Sequence, residues 1–243
     1  MSGHSKWNNI KRKKEKTDAQ KAKIFTKIGK EMAVAVKAGG PDPRNNARLA
    51  ALIQKAKANN VPNENIERTI KQATASDGAN YEEIVYEGYG PGGVAIIVET
   101  TTDNRNRTAG NVRAGFNKYK GNLGSTGCVS YLFETKGEIV ILKAASIDED
   151  ALMETALEAG ASDFAAEEEV YEIFTEADDV YAVQEALVSA GYTVESAEVT
   201  KVPSNYVELT TEEDLKFMNL LLEYLEEDED VVEIYHNWEN MDE

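Results

Sequence analysis

Apolar residues recur at helical spacing near the start of the chain. At about 100° per residue they fall on one helical face, opposite a row of lysines, and they comprise Ile24, Phe25, Ile28, Met32, Ala35 and Val36. The Thr17-x-x-Gln20 spacing of a capping box precedes this stripe, and Gly39-Gly40 follows it as a stop signal. The pattern therefore predicts a helix over residues 18–38 with one packed face and one cationic face.

Two further helices are predicted before residue 75. Asp42-Pro43 indicates the N-cap and first position of a helix that reaches about Ala58. Ile66 and Ile70 lie four residues apart and indicate a third amphipathic helix over residues 63–73. Residues 18–75 are therefore expected to form a small helical domain, and the short polar segment that follows reads as a linker.

Strand patterns begin after that linker. Strands are predicted over residues 82–86 and 94–101 on either side of a glycine-rich turn, followed by a helix over 104–118 and a strand near 128–133. The last part of the chain predicts a long helix over residues 211–227 and a strand over 231–236. Together these elements predict one open α+β sandwich made from two distant parts of the chain.

Residues 138–200 interrupt that sandwich with their own pattern. Their predicted order is β-α-β-β-α-β, which is the order of a ferredoxin-like unit. The predicted fold class is therefore α+β in three domains: an N-terminal helical domain followed by two open sandwiches, the second of which is inserted in the first. The predicted boundaries are 1–78 for the basic segment and helical domain, 79–136 with 203–243 for the middle domain, and 137–202 for the inserted domain.

Charge is divided unevenly along the chain. The formal net charge is −18, which taken alone argues against a polyanionic partner. Residues 1–73, however, contain 17 Lys and Arg against 6 Asp and Glu, a net charge of +11, whereas the remaining residues carry −29. Such asymmetry indicates a basic binding segment joined to a body that avoids polyanions, with solvated helix faces as the alternative interpretation.

The sequence offers little material for catalysis. Only two histidines, His4 and His236, are present, and the G-x-G-x-x-G spacing of Gly88–Gly93 lies between two predicted strands, which favours a hairpin turn. No enzyme activity, cofactor, metal or small-molecule substrate is expected, and the acidic runs 167–169 and 226–230 are interpreted as solvated faces. One cysteine, no apolar run long enough for a membrane helix and no secretory signal favour the cytoplasm.

The candidate nucleic-acid contacts are mostly lysines, which contact phosphates as point charges and favour shape-based over base-specific recognition. Trp7 either stacks on an unpaired base or packs on the helical domain. Arg105 and Arg107 open a predicted helix, where they either receive a phosphate or pair with acidic neighbours. The remaining candidates are Lys6, Lys11, Arg12, Lys13, Lys14, Lys16, Lys21, Lys23, Lys27 and Lys30, with Arg44 and Arg48 at the edge of the second helix.

Several segments closely resemble the YebC/PmpR family, and the resemblance extends over nearly the whole chain. They are residues 3–7 (GHSKW), 24–27 (IFTK), 39–43 (GGPDP), 86–93 (YEGYGPGG), 102–108 (TDNRNRT) and 121–124 (GNLG). The resemblance implies a three-domain α+β protein, cytoplasmic in bacteria, that is commonly described as a DNA-binding transcriptional regulator. It implies no catalytic activity and no cofactor.

Two other functions stay open at this point. Members of the family are also tied to translation, so a ribosome-binding or RNA-binding factor that relieves stalling or activates translation is the alternative. A third hypothesis is an acidic scaffold for basic proteins, because residues 137–243 carry 31 Asp and Glu against 3 Lys and Arg. The sequence leaves the oligomeric state undetermined.

Overall fold

The computed structural model describes residues 18–75 and 80–241, which divide into two units. The first unit contains residues 18–75 and 80–129 together with Thr210–His236, and the second contains Ser130–Leu209 together with residues 237–241. The chain thus leaves the first unit, builds the second, and returns. The mixed helix and sheet content, with a helical N-terminal region and two antiparallel sheets, confirms the predicted fold class, while the three-domain boundaries stay a prediction.

Three helices open the first unit: α1 (Asp18–Gly39), α2 (Ala47–Ala58) and α3 (Asn63–Ala73). The third has the predicted bounds. The predicted apolar stripe of α1 packs against α2 and α3, since Ile28, Met32, Leu49, Leu52 and Ile66 belong to one buried cluster. Burial of such side chains, worth about 1.5–3 kcal/mol each, holds these short helices together.

The start of α2 differs from the prediction. Asn46, rather than Asp42, is its N-cap: the Asn46 side chain accepts from the Leu49 N–H (3.0 Å) and donates to the carbonyls of Ala35 and Gly40 (both 2.8 Å). An amide can both accept and donate, so Asn46 caps α2 and ties it to the end of α1. Asp42 accepts from the Arg44 N–H in the preceding turn instead.

The same unit contains an antiparallel sheet in the order β3-β1-β2-β8, formed by β1 (Glu82–Tyr89), β2 (Ala95–Thr102), β3 (Asn122–Leu123) and β8 (Val231–His236). The predicted hairpin is confirmed by the pairing of Tyr89 with Ala95, and Gly92 and Gly93 have positive φ in its turn. Two helices accompany the sheet, α4 (Arg105–Lys118) and α7 (Glu212–Glu227). Their buried residues include Val112, Phe116, Met218, Leu221 and Leu225.

The predicted strand near residues 128–133 is wrong. The Val129 N–H donates to the Glu87 carboxylate (2.9 Å), not to a neighbouring strand, and Ser130–Leu132 form a 3-10 turn. The strand β4 begins only at Phe133 and continues to Leu142, so it absorbs the strand predicted over 138–142. The edge of the first sheet beside β1 is formed instead by the short strand β3, which the sequence pattern did not indicate.

The second unit has the predicted ferredoxin-like order. After β4 come α5 (Glu149–Glu158), β5 (Asp163–Ala166), β6 (Val170–Thr175), α6 (Val180–Ser189) and β7 (Ser196–Pro203). The sheet order is β5-β6-β4-β7 and every neighbouring pair is antiparallel. One buried cluster joins the sheet to both helices and includes Ile139, Ile141, Leu152, Ile173, Val183 and Leu187.

Candidate nucleic-acid interface

Part of the predicted binding set lies outside the described residues. Lys6, Trp7, Lys11, Arg12, Lys13, Lys14 and Lys16 belong to residues 1–17, and Lys21 lies in the first turn of α1, where only the backbone is described. The structure therefore bears on the other predicted contacts: Lys23, Lys27 and Lys30 of α1, the arginines of the α2 edge, and the arginines that open α4.

The three described lysines of α1 face the end of α7. Lys23 Nζ lies 2.6 Å from Glu227 Oε2, and Lys27 Nζ donates to the Glu226 carbonyl oxygen at 2.7 Å. The last turn of α7 contains no basic residue of its own, although the C-terminus of a helix carries a partial negative charge. Lys23 and Lys27 of α1 therefore balance the negative charge of this helix end and its glutamates.

Lys30 reaches further, to the loop between α7 and β8. Its ammonium donates to Asp230 Oδ1 at 2.8 Å and to the Glu229 carbonyl oxygen at 2.9 Å. Asp230 is buried and Lys30 is partly buried, with 3% and 12% of their side chains exposed. Lys23, Lys27 and Lys30 thus all contact residues 226–230.

Asp230 is the centre of a buried polar network. Arg107 donates to its carboxylate through Nε (3.0 Å) and Nη2 (2.7 Å), and the hydroxyls of Thr108 and Thr102 lie 2.9 and 3.2 Å away. Burial alone would raise the pKa of Asp230, but the hydrogen bonds from Lys30, Arg107 and Thr108 outweigh it and lower that pKa to about 2. Asp230 is therefore ionised at neutral pH.

This network contradicts the interpretation of residues 226–230 as a solvated run only at Asp230, which is buried and paired, whereas Glu227 and Glu229 are exposed. It also shows what occupies the start of α4. Asn104 caps that helix by accepting from the Arg107 N–H (3.1 Å), and the Asp230 carboxylate lies against Arg107. Of the two sequence interpretations of Arg107, pairing with acidic neighbours is the one that the structure contains.

The other three arginines make exposed ion pairs. Arg44 pairs with Asp42 (2.9 Å) within one turn, and Arg105 lies 3.9 Å from Glu82. Arg48 forms a two-pronged pair with Glu83 of β1. Exposed pairs of this kind contribute about 0–1 kcal/mol, so a phosphate can replace such a carboxylate at little cost.

The glycine-rich segment after β3 is held to β1 by an acidic residue, Glu87, for which the sequence predicted no role. Glu87 is buried in β1, and its carboxylate accepts from the N–H groups of Gly127 (2.8 Å) and Val129 (2.9 Å). Its carbonyl oxygen also accepts from the Gly124 N–H at 2.8 Å. Glu87 thus holds this segment through three hydrogen bonds, two to its carboxylate and one to its carbonyl oxygen.

Residues 18–75 and 80–241 contain neither a membrane-spanning helix nor a cluster of metal ligands. No helix in these ranges is both long and apolar enough to cross a membrane. No three His, Cys, Asp or Glu side chains within them are placed so that they could hold a metal ion.

Comparison with known proteins assigns this fold and its basic N-terminal helices to one family. Residues 5–76 match the model of the TACO1/YebC protein N-terminal domain, and residues 81–238 match that of the TACO1/YebC second and third domain. The chain therefore belongs to the TACO1/YebC family, as the resemblance of its segments indicated.

Relatives and a solved structure agree with that membership. A protein of Acetivibrio thermocellus is 58% identical over 239 residues, which cover 98% of this chain and 99% of the relative. A protein of Agathobacter rectalis is 58% identical over 242 residues, covering 98% and 100%. Both are named "probable transcriptional regulatory protein". A crystal structure of a conserved hypothetical protein from Aquifex aeolicus is 46% identical, covers 92% of each chain and superposes with a TM-score of 0.81.

Proposed function

We propose that this chain is a non-enzymatic regulator of transcription that binds DNA through the basic residues of its first 73 positions. The observation that carries the proposal is the separation of charge, with a net +11 in that segment against −29 in the remainder. Phosphate backbones attract the first part and repel the second, so the duplex is expected to contact the first part of the chain. The names of the two bacterial relatives support the regulatory role.

The predicted contacts divide into two groups by their surroundings. Lys30 and Arg107 share the carboxylate of Asp230, of which only 3% is exposed, and although 46% of Arg107 is exposed, neither cation can exchange this buried partner for a phosphate without leaving it unpaired. We therefore assign both a structural role in holding α1 and α4 to the segment before β8. Lys23 is 34% exposed and its partner Glu227 is 62% exposed, so this lysine can exchange its carboxylate for a phosphate. We propose that Lys23 acts with the cations of residues 1–21, which supply most of the phosphate contacts.

The chemistry of these cations favours contact with the DNA backbone. Lysine outnumbers arginine in the first 30 residues, and an ammonium group cannot form the bidentate pair by which arginine reads guanine. Sequence preference must then come from DNA shape or from a few further contacts, such as Arg44 and Arg48 at the α2 edge. The single cysteine, Cys128, is consistent with action in the reducing cytoplasm.

Crosslinking in cells, followed by sequencing of the attached DNA and RNA, tests the proposal. We expect DNA fragments from upstream of genes to be enriched. One such duplex should then bind the purified full-length chain at least about tenfold more tightly than a scrambled duplex of equal length in physiological salt, within the range of specific recognition. Equal affinity for both duplexes, with ribosomal RNA dominating the crosslinks, would instead identify the chain as a translation factor.

A further inference from the structure

A groove runs between α1 and α3 in the first unit, with a volume of about 560 Å³. The side chains of Phe25 and Met32 line it from α1, and those of Ile66, Thr69 and Gln72 line it from α3. Binding sites for small organic groups have volumes of about 300–1,000 Å³. The groove therefore has the size of a site for one nucleotide or a similar ligand.

The charge of this groove is opposite to that of the chain. Within the described ranges 17 residues line the groove. None of these is Asp or Glu, and two of them, Lys30 and Arg68, are basic. Fifteen of the 17 residues belong to the first 73 positions, whose net charge is +11, so the groove lies in the basic part of the chain. Its electrostatics favour an anionic ligand.

Arg68 is the cation that such a ligand can reach. Lys30 is held by Asp230 and Glu229, with its ammonium 5.9 Å from the centre of the Tyr81 ring. Arg68 is exposed and donates to Asn65 Oδ1 at 3.1 Å, and in the part of the chain that the structure describes no carboxylate lies within 4.0 Å of it. A guanidinium in this position presents its remaining N–H donors to a phosphate.

The other lining groups have the chemistry that a nucleobase requires. Phe25 and Tyr81 offer aromatic surface, and Asn65 and Gln72 offer amides that both donate and accept. Most of the remaining lining side chains are apolar, and they give the base a surface to pack against. Proteins recognise unstacked bases by this combination of rings and amides.

We infer that the groove between α1 and α3 binds one unpaired nucleotide, with the base in the groove and its phosphate on Arg68. The inference rests on the proposed nucleic-acid binding and extends it, since it gives the chain a preference for an unstacked base over a paired one. DNA and RNA both contain this chemistry, and the strands used in the experiment distinguish them.

The groove can be filled without weakening the helix that carries it. A Cβ at Gly29 of α1 would lie 3.8 Å from Thr69 Cγ2, which is ordinary contact, so Gly29→Leu extends a side chain into the groove. Leucine also has a higher helix propensity than glycine, so the variant is expected to stay folded. Ala38→Leu adds the same side chain at an exposed position of the same helix and is the matched control.

Fluorescence anisotropy with the full-length chain measures the effect. The probes are labelled single strands of about 12 nucleotides, a length typical of such sites, as DNA, as RNA and as an abasic DNA, together with a duplex of equal length. Gly29→Leu should weaken binding of the base-containing single strands about tenfold or more, as loss of one stacked base does. Binding of the abasic strand and of the duplex should be unchanged, and Ala38→Leu should match the wild type throughout.

Arg68→Gln provides a second arm, with Lys57→Gln as the control that removes one exposed cation of α2 outside the groove. The arginine variant should lose several-fold more affinity for the single strands than the lysine variant. If Gly29→Leu and Ala38→Leu bind all probes alike while duplex binding persists, the groove inference is wrong and the proposed function survives. If the wild type binds no probe, both fail. The stronger of the DNA and RNA effects identifies the source of the nucleotide.

Discussion

Lys30 and Asp230 are 200 positions apart in the chain, and their side chains meet in an ion pair of 2.8 Å in which the carboxylate is buried and the ammonium partly buried. The ion pair thereby joins the basic helix α1 to the segment that follows the acidic helix α7. Removing one partner of a buried pair leaves an uncompensated charge, which costs more than the pair contributes. This contact therefore engages Lys30 within the fold, in contrast to the exposed Lys23 pair.

Asp230→Asn should destabilise the first unit by about 3 kcal/mol, because Lys30 and Arg107 lose their shared counter-ion. Urea unfolding at neutral pH measures the change. Glu229→Gln is the control: Glu229 is exposed and contributes its carbonyl rather than its carboxylate to Lys30, so its replacement should change stability by less than about 0.5 kcal/mol. Equal effects of the two variants would refute the role given to Asp230.

The same residue predicts a pH dependence. The pKa of Asp230 is lowered in the folded state to about 2 from an ordinary value of 3.8. A lowered pKa means stability that is present above the ordinary value and is lost as pH falls toward the folded value. The stability difference between wild type and Asp230→Asn should therefore shrink by about 1–2 kcal/mol between pH 5 and pH 2. A difference that stays constant across this window would contradict the assignment.

Replacing Lys23 should affect DNA binding, whereas replacing Lys30 should affect the stability of the fold. Lys23→Gln should change the free energy of unfolding by less than about 1 kcal/mol and should lower the salt dependence of duplex binding by about one phosphate contact. Lys30→Gln should destabilise the fold by about 2–3 kcal/mol and leave that salt dependence unchanged. Salt titrations of DNA binding and urea unfolding on both variants test the distinction, which fails if the two lysines exchange these effects.

Glu87 should contribute more to the free energy of unfolding than Glu83, which is exposed in the same strand. Glu87→Ala removes the acceptor of the Gly127 and Val129 N–H groups and should cost about 2–3 kcal/mol. Glu87→Gln keeps one acceptor oxygen and should cost less. Amide hydrogen exchange at Val129 should quicken in both variants, whereas Glu83→Ala, in the same strand but exposed, should leave it unchanged. Unaltered exchange in Glu87→Ala would show that another group holds this segment.

The elements that the sequence predicted well are those set by local patterns. The helix Asn63–Ala73 and the strand Val231–His236 have the predicted bounds, since amphipathic spacing and β-branched runs are properties of neighbouring residues. The helix α2 was predicted too long because Asp42-Pro43 is a sound N-terminal signal in isolation. Only the contacts of Asn46 with the end of α1 decide against it.

The partners of the candidate residues could not be read from local patterns. Nothing around Asp230 distinguishes it from Asp228 or Glu229, because its burial depends on Lys30 and Arg107, which come from distant parts of the chain. Glu87 likewise looks like any polar residue of a half-exposed strand until the glycine-rich segment folds against it. The clustering of positive charge in residues 1–73, in contrast, follows from the sequence alone.

The most direct test of the account neutralises the lysines at the front of the chain. One variant replaces Lys6, Lys11, Lys13, Lys14 and Lys16 with Gln, and the control replaces Lys118, Lys136, Lys143, Lys201 and Lys216, which removes the same charge elsewhere. Duplex DNA binding is measured over a range of salt. The first variant should lose about a hundredfold or more in affinity, with the slope of log K against log salt reduced by about four, and the control should change little. Equal behaviour of the two variants would contradict the proposal that the N-terminal cations bind the phosphate backbone.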